Sequence, residues 1–387
     1  MTSVEQPSSI TNTNTASIDD TSSTKKNWRG FSLQGENHTA NADYPDRITG
    51  PSAWSGKELQ QQPEKWIYRF TPEDIADIDQ ALKHFLSLNL PLGQIRPDTF
   101  PLKTFHQVIA KERENLFNGL GFGLLRGFPI LNYDRKEQVA IFMGIGSYIG
   151  IRKPQNAKGH VLGHVKDLTE NSTTKAVYKE DDPTTRIYAT RRAQPFHVDG
   201  TDVVGLLCLS EGHEGGLSSI ISSHTVYNRL REDRPDIVEL MKQPWLWDRK
   251  NEQGPDEKPY LSASPLTYYK GHLFTFWGPH FFETVNRFPE VTMEEEKFEA
   301  MRYIQELCER EALNMKLEVG DMQFVQNYQI LHARTAYTDI PGATRHLLRL
   351  WLLVDDKEVG WEMPFGTDDY NYSFKHVREE VVPLEAE

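Results

Sequence analysis

Short apolar segments separated by glycine or proline turns fill the second half of the chain, and this pattern constrains the fold most. Residues 203–209 are apolar throughout, which is typical of a strand buried on both faces. Further strands are predicted at residues 217–222, 260–269, 272–277, 316–319, 322–326, 331–337 and 345–354. Strands and helices do not alternate regularly, so the pattern favours a β-sandwich or jelly-roll core over a doubly wound fold.

Helices are predicted before and between these strands. Thr71 and Pro72 are typical of an N-cap and a first helical residue, and apolar residues then recur at helical spacing. The other predicted helices lie at residues 104–118, 136–148, 225–241 and 292–313, and two earlier strands at 121–129 and 160–168. The sequence therefore predicts a mainly β protein with helical elaborations.

The domain organisation follows from the same pattern. Residues 1–27 are polar and rich in Ser and Thr, which predicts a disordered tail without the apolar core of a secretory signal. Residues 28–387 are expected to form one domain, with a helical part at about 71–150 and a β core at about 186–355. The helix at 292–313 is an insert in that core.

Charge and cysteine content exclude several functions. The formal net charge is −13 and no long Lys/Arg run is present, so binding to nucleic acid is not expected. No apolar stretch is long enough to span a membrane. Cys208 and Cys308 are the two cysteines, which argues against a disulfide scaffold and indicates a reducing, cytoplasmic setting. The partner expected is a small-molecule substrate, and the oligomeric state stays open.

The tripeptide His197-Val198-Asp199 is a candidate metal site. A His-x-Asp or His-x-Glu match is expected by chance in a chain with 13 His and 56 acidic residues, so the tripeptide alone carries little weight. Its position is more informative, because it lies where a polar loop enters the buried strand at 203–209. A non-haem Fe(II) site needs two histidines and one carboxylate, and therefore a second histidine from a distant strand.

His332 is the best candidate for that second histidine because two arginines follow it. In a strand, Arg345, Leu347, Arg349 and Trp351 share one face. Arginines on such an apolar strand are costly to bury without a partner. Either an internal salt bridge or an anionic ligand is therefore expected, and arginine is well suited to holding a carboxylate.

Several motifs together resemble one family. They are His197-Val198-Asp199-Gly200, Gly215-Gly216-Leu217-Ser218, Asn327, Leu331-His332-Ala333-Arg334-Thr335 and Arg345-His346-Leu347-Leu348-Arg349-Leu350-Trp351, with Gly127-Phe128-Pro129 upstream. In order and spacing they resemble the TauD/TfdA family, on its clavaminate-synthase-like side. The resemblance covers roughly residues 100–355.

The resemblance implies a double-stranded β-helix (jelly-roll) core, Fe(II) as the metal, and 2-oxoglutarate as cosubstrate. By the family pattern, His197, Asp199 and His332 would hold the iron. Arg345 would bind the distal carboxylate of 2-oxoglutarate, and Arg349 would contact either cosubstrate or substrate. Ser218 would touch the cosubstrate, although a turn serine without a ligand is the alternative.

The implied reaction is the oxidative decarboxylation of 2-oxoglutarate to succinate and CO₂, coupled to oxidation of a C–H bond. Relatives that halogenate replace the carboxylate ligand, so Asp199 favours hydroxylation, desaturation or epoxidation. The substrate expected is a small organic molecule, in specialised metabolism.

Three other functions are compatible with the sequence. A jelly-roll protein could bind metal without catalysis, and the same three ligands would also suit Zn²⁺ in a hydrolase. An oxygenase acting on a peptide or protein side chain is the third, since an acidic surface could attract a basic polypeptide. The paired arginines argue against the first two.

Overall fold

The computed structural model describes residues 43–170, 178–354, 359–364, 374, 377 and 379–386. The predicted polar tail at residues 1–27 and the predicted start of the domain at Trp28 lie outside these residues. Within the described ranges, no helix has the length and apolar character needed to cross a bilayer.

The helices and strands are numbered here in chain order. The helices are α1 (Gly56–Leu59), α2 (Pro72–Ser87), α3 (His106–Asn118), α4 (Arg135–Ser147), α5 (Ser223–Asp233), α6 (Pro235–Met241), α7 (Pro279–Glu283) and α8 (Glu295–Glu311). The strands of the first half are β1 (Ile67–Arg69), β2 (Phe122–Arg126), β3 (Ile151–Arg152), β4 (Leu162–Val165) and β5 (Gln194–His197). The remaining strands are β6 (Val203–Ser210), β7 (Glu214–Gly215), β8 (Ser218–Ser222), β9 (Trp245–Asp248), β10 (Tyr260–Ala263), β11 (Leu266–Tyr269), β12 (His272–Thr275), β13 (Leu313–Met315), β14 (Met322–Gln326), β15 (Ile330–Arg334), β16 (Tyr337–Thr338) and β17 (His346–Leu353).

Helix α2 begins where the sequence predicts. The Thr71 hydroxyl accepts a hydrogen bond from the Asp74 amide, and the Asp74 carboxylate accepts one from the Thr71 amide, so both ends of a capping box are present. Pro72 occupies the first turn, where its missing N–H costs nothing. The helix buries Ile78 and Phe85 in one apolar cluster with side chains of α4 and β6. The predicted helices at 104–118, 136–148 and 292–313 are confirmed as α3, α4 and α8.

The main sheet is built around β6. Its strand order is β1-β2-β14-β6-β17-β3, and β4 pairs with β17 on the side away from β6. All of these pairs are antiparallel except β1 with β2. As predicted for residues 203–209, β6 is buried on both faces: Val203 and Leu207 pack with α2 and α4, whereas Val204 and Cys208 pack on the opposite side.

A second sheet, β13-β8-β15-β5, faces the main sheet. Ile220 and Ile330 of this sheet share one buried cluster with Val204, Leu347 and Trp351 of the main sheet. The alternation of strand side chains therefore places Leu347 and Trp351 between the two sheets, with Leu348 and Leu350 on the helical side. The predicted common face of Arg345, Leu347, Arg349 and Trp351 is thus the inner face.

The architecture is mixed α/β with several sheets, rather than mainly β. Helices α2 and α4 cover the outer face of the main sheet, while α5, α6 and α8 pack beside the second sheet with β9, β11 and β12. Each sheet therefore buries one face against helices, and this is why helical residues are more prominent than the strand pattern alone predicts.

Several predicted boundaries are wrong, and proline explains two of them. The helix predicted at 225–241 is two helices, because Pro235 lacks the amide hydrogen that would continue α5 and instead begins α6. The strand predicted at 260–269 is interrupted near Pro265, so β10 pairs with β9 whereas β11 pairs with β12. The strand predicted at 316–319 is found earlier, as β13.

Candidate metal centre

The structure brings together the three residues of the predicted metal site. His197 is the last residue of β5, Asp199 lies in the loop that follows, and His332 lies in β15 directly opposite His197. Asp199 Oδ1 is 3.8 Å from His197 Nε2, and Asp199 Oδ2 is 3.9 Å from His332 Nε2. The ligand atoms all lie within 4.8 Å of one another, and these three form the one such group of metal-binding side chains among the described residues.

Hydrogen bonds orient the first histidine. His197 Nδ1 lies 2.9 Å from the carbonyl oxygen of Pro195, so the ring donates from Nδ1 and presents the lone pair of Nε2. The side-chain amide of Gln194 lies 2.8 Å from that Nε2 and donates to it. Such orientation by a backbone carbonyl is the arrangement expected for a metal-binding imidazole.

Asp199 is held by both its backbone and its side chain. Asn327 accepts a hydrogen bond from the Asp199 amide at 2.8 Å and donates to the Asp199 carbonyl oxygen at 2.6 Å. Asp199 Oδ2 accepts hydrogen bonds from Arg349 at 3.1 Å and from the indole of Trp351 at 2.9 Å. Oδ1, which faces His197, is the oxygen left for a metal.

Burial and charge set the protonation of the three residues. Burial lowers the pKa of His197, and it lowers that of His332 to about 3 with a further contribution from His197. Burial alone would raise the pKa of Asp199, but the charge of Arg349, helped by the hydrogen bond from Trp351, outweighs it and holds that pKa well below its ordinary value. At neutral pH the group is therefore two neutral imidazoles and one carboxylate, the forms that bind metal.

Arg349 is committed to protein partners. Its Nε donates to Gln155 Oε1 at 2.8 Å, and its Nη1 forms the salt bridge to Asp199. Both members of that salt bridge are almost completely buried, with exposed side-chain fractions of 5% and 7%. Of the two alternatives left open by the sequence for the arginines of this strand, Arg349 follows the internal salt bridge.

Arg345 behaves differently and has a neighbour that the sequence analysis does not single out. Arg345 and Arg334, here called the arginine pair, both lie against the Tyr337 ring, with their guanidinium carbons 5.3 and 4.8 Å from the ring centroid. Each residue is only 6% exposed. No carboxylate within 4 Å of either guanidinium is found among the described residues. Arg345 Nη1 and Arg334 Nε and Nη1 are buried without a hydrogen-bond partner.

The environment of the arginine pair is strongly positive. Arg334 Nη2 donates to the backbone oxygens of Thr190 and Arg192, which carry no full negative charge. Burial, followed by the charge of Arg345, lowers the pKa of Arg334 to about 10. Burial also lowers the pKa of Arg345. Two buried cations with unsatisfied N–H groups are what an anion-binding site requires.

The Gly215-Gly216 turn makes room for this arginine pair. Both glycines have positive φ angles, +74° and +69°, a conformation that other residues rarely adopt. A Cβ atom on Gly216 would lie 2.8 Å from Arg345 Nε. The positive φ angle explains glycine at both positions of the predicted turn. The second glycine, in addition, leaves space for the Arg345 side chain.

Ser218 lines the same cavity as the triad and the arginine pair. This cavity encloses about 520 Å³, its open part included, and is also lined by His332 and Gln323. The Ser218 hydroxyl lies 3.4 Å from Gln323 Oε1. Ser219 points to the opposite face of the strand, where its hydroxyl contacts Asn314. Of the two neighbouring serines, it is Ser218 that faces the candidate site.

Comparison with known proteins decides the family. Residues 88–351 match the family model described as "Taurine catabolism dioxygenase TauD, TfdA family". The chain belongs to the TauD/TfdA family. It is therefore an Fe(II)- and 2-oxoglutarate-dependent dioxygenase.

Curated relatives match over most of their length. The chain is 31% identical over 343 residues to the taurine hydroxylase-like protein SAT17 of Stachybotrys chartarum, covering 86% of each protein. It is 26% identical over 336 residues to FR-33289 synthase of Streptomyces rubellomurinus, covering 85% of this chain and 96% of the synthase.

Solved structures show the fold of this TauD/TfdA member. Asparagine oxygenase in complex with Fe(II), 3-hydroxyasparagine and succinate superposes with a TM-score of 0.58 at 16% identity, covering 74% of this chain and 93% of the oxygenase. The non-haem iron oxygenase OrfP in complex with iron and 2-oxoglutarate gives a TM-score of 0.53 at 12% identity, covering 76% and 95%. The family match agrees with the predicted cofactors, Fe(II) and 2-oxoglutarate.

Two features of the site in this TauD/TfdA member are not predicted from the sequence: the position of Arg334 and the pairing of Arg349 with Gln155. Arg334 lies two residues after His332 in a strand, and the two-residue period of a strand would have placed both side chains on one face. That signal is present in the sequence. The pairing of Arg349 with Gln155 has no such signal, because the two residues are distant in sequence and meet only through the fold.

Proposed function

We propose that this dioxygenase oxidises an unactivated C–H bond of a small organic substrate, with iron held by His197, Asp199 and His332. The arginine pair would hold the distal carboxylate of 2-oxoglutarate. One observation carries the proposal: the buried, unsatisfied N–H groups of Arg334 and Arg345 line the same cavity as the three candidate ligands. A metal site and an anion site that share one cavity fit a metal-bound dicarboxylate.

The donor set fits iron. Two imidazole nitrogens and one carboxylate oxygen on one side of a cavity are the ligands of non-haem Fe(II) oxygenases. When bound, the iron with 2-oxoglutarate supplies the oxidising power: one oxygen atom of O₂ enters succinate as CO₂ leaves, and in a hydroxylation the other enters the product. The protein's own contribution is to position these groups and exclude water.

The arginine pair would provide two cations for one carboxylate. Their pKa values stay high enough that both guanidinium groups are charged at neutral pH. A carboxylate placed against them would satisfy N–H groups that are otherwise buried unpaired, a deficit that costs about 1–3 kcal/mol per group. We propose Arg345 as the residue named by the family pattern and Arg334 as its partner.

Arg349 would act on the iron through Asp199 rather than by touching cosubstrate. It holds Asp199 Oδ2 together with Trp351, while Asn327 fixes the backbone on either side of the carboxylate. This arrangement supports a role in orienting Asp199 Oδ1 toward the cavity. Ser218 would donate its hydroxyl to the cosubstrate, since it lines the cavity beside the arginine pair.

The proposal extends to the core topology and the domain organisation. The two facing sheets would form the double-stranded β-helix (jelly-roll) core of one domain spanning residues 28–387. We also propose a reducing, cytoplasmic setting, which the free and buried thiols of Cys208 and Cys308 support. Hydroxylation, desaturation and epoxidation are the reaction types that a carboxylate ligand at position 199 permits.

A spectroscopic experiment tests the site. Anaerobic addition of Fe(II) and 2-oxoglutarate to the purified chain should produce a weak visible charge-transfer band, because the band requires both to bind one centre. His197→Ala should remove the band through loss of iron. Arg345→Ala should remove it at 2-oxoglutarate concentrations that saturate the wild type. An unchanged band in either variant would refute the corresponding residue assignment.

A further inference from the structure

A second cavity opens on the other side of Asp199. It encloses about 760 Å³, its mouth included, and reaches Val198, Asp199 and Gly200. Neither member of the arginine pair lines it, and Asp199 is the lining residue that it shares with the cavity of the arginine pair. A molecule held there would contact Asp199, one of the three candidate iron ligands.

The walls of this cavity are largely apolar. The apolar side chains that line it come from six separate segments, so a bound molecule would meet hydrocarbon from several sides. They are Val198, Trp247, Leu261, Phe276, Phe281, Trp351 and Phe374. Such a surface favours hydrocarbon over polar groups by about 25 cal/mol per Å² removed from water.

Each charged side chain that lines the cavity already has a partner of opposite charge. Arg186 pairs with Glu252 at 2.5 Å, and both face the cavity. The other charged lining residues pair with side chains outside it. These pairs are Arg249 with Glu257 at 2.6 Å, Asp248 with Arg287 at 2.9 Å and Asp199 with Arg349 at 3.1 Å. Within the described part of the chain, the cavity therefore presents no unpaired charge to a ligand.

A charged substrate would have to break one of these pairs. Arg186 lines this cavity and also a neighbouring one that reaches Asp199. Glu252 neutralises it, while the two side chains remain 14% and 21% exposed. The Arg186 guanidinium also lies 5.2 Å from the centroid of the Phe281 ring, which fixes its position further. Breaking a mostly buried pair leaves a poorly solvated charge, and this is costly.

We propose that the substrate of this enzyme is an uncharged, largely hydrocarbon molecule bound in the cavity of Trp247, Phe276 and Phe281. The Arg186–Glu252 pair acts as a specificity determinant that excludes carboxylates and ammonium groups. The inference rests on the proposed function, because it assigns the substrate class of the same iron site. It separates this chain from OrfP, whose solved complexes contain L-arginine, and from asparagine oxygenase, whose complex contains hydroxyasparagine.

Calorimetry with matched probes tests the inference. The holoenzyme, loaded anaerobically with Fe(II) and 2-oxoglutarate, is titrated with three molecules that share one hydrocarbon cage: adamantane carboxylic acid methyl ester, adamantane carboxylate and adamantyl ammonium. L-Arginine and L-asparagine complete the panel. The ester should bind at least about tenfold more tightly than any charged probe, which corresponds to about 1.4 kcal/mol. Equal or tighter binding of a charged probe, or no binding of the ester at its solubility limit, overturns the inference.

One variant tests the role of the ion pair directly. Glu252→Gln removes the negative partner but keeps the shape, which leaves Arg186 available to a ligand. Adamantane carboxylate should then bind at least about tenfold more tightly than to the wild type, because a charge-assisted contact becomes available. The affinity for the ester should stay within about threefold, since its apolar contacts are retained. Unchanged carboxylate affinity in this variant refutes the proposed role of the pair.

A surface variant provides the control. Glu232→Gln removes a partner of Arg47 and Arg229, and none of the three lines the cavity. It should leave the affinity for every probe unchanged. The charge-transfer band separates the two proposals: its absence contradicts the proposed function whatever the probes do. A normal band with preferential binding of charged probes contradicts the inference on substrate class alone.

Discussion

The two arginines predicted on the last long strand occupy opposite kinds of site. Arg349 lies in a network with Asp199, Gln155 and Trp351 in which the charges are matched within the protein. Arg345, four residues earlier, lies beside Arg334 with buried N–H groups that lack partners. The comparison separates a candidate metal site, whose charges are matched within the protein, from a proposed anion site, whose N–H groups would be satisfied by a ligand.

Alanine variants of the two sites should show the largest effects, and they should differ in whether iron is retained. His197→Ala and Arg345→Ala should both reduce succinate formation to the assay background. Only His197→Ala should also lose bound iron, because Arg345 contacts none of the candidate ligands. Succinate assays together with iron analysis after gel filtration would measure this. Full activity in either variant would contradict the assignment of that residue.

Stability without ligands should respond in opposite ways. Arg349→Leu leaves the buried Asp199 carboxylate without its cation, so the free energy of unfolding of the metal-free chain should fall by about 3 kcal/mol. Arg334→Leu removes a buried charge that has no carboxylate partner, so stability should stay equal or rise. Urea unfolding measures both. The surface variant Arg96→Leu, whose partner Asp98 is exposed, serves as a control and should not change stability. A loss in Arg334→Leu as large as that in Arg349→Leu would break the comparison.

Ligand-induced stabilisation should depend on the arginine pair. At a concentration of 2-oxoglutarate about 100 times its Kd, the iron-loaded wild type should gain about 2.7 kcal/mol. In Arg334→Gln, loss of a charge-assisted contact should raise Kd by at least about tenfold and remove about half of that gain. Anaerobic unfolding with and without cosubstrate measures the effect.

A shorter 2-oxo acid without the distal carboxylate provides the matched control for this experiment. Because it cannot reach the arginine pair, its affinity for the wild type and for Arg334→Gln should be the same. If Arg334→Gln instead weakens both acids equally, Arg334 acts on the metal centre as a whole and not on the distal carboxylate.

A third buried polar group, His164 with His346, can be compared with the candidate metal site because it has two histidines but no carboxylate. His164 Nδ1 lies 2.8 Å from His346 Nε2, and burial lowers the pKa of His346 to about 2 and also lowers that of His164. In the unfolded chain both imidazoles gain protons below about pH 6.5, whereas burial in the folded state opposes their protonation, most strongly at His346. Stability should therefore be constant above that pH and should fall below it, by up to about 1.4 kcal/mol per pH unit for each imidazole.

Urea unfolding between about pH 7 and pH 5 would measure this dependence. His346→Asn removes one of the two imidazoles and should give a shallower slope than the wild type. An equal slope in this variant would assign the acid sensitivity to other groups, such as the buried His224 and His280.

Much of the candidate site follows from sequence order alone. The period of two in a strand places Arg345 and Arg349 on one inner face, and β15 brings His332 opposite His197 as a strand neighbour. The same period would have identified Arg334. What the sequence does not contain is the partner of each arginine, because Gln155 lies in a loop that reaches Arg349 only after β4 has paired with β17.

The fold is predicted less completely, for a related reason. Local signals place α2 correctly, since Thr71 and Asp74 cap it by contacts three residues apart. Strand β9 is missed because it is recognised only by its pairing with a distant strand, here β10. Proline breaks at 235 and 265 are readable in the sequence, but the apolar pattern on either side of each predicts a continuous element.

Trp351 gives the enzyme a built-in optical reporter. Its indole N–H donates to Asp199 Oδ2, and the guanidinium carbon of Arg349 lies 5.1 Å from the centroid of its ring. Indole fluorescence responds to charge held close to the ring, so a dication arriving beside Asp199 should change the emission of this one tryptophan among the eight in the chain. Trp351→Phe would identify that component of the emission by difference. Metal uptake can then be timed by stopped flow, without dye, cosubstrate or turnover.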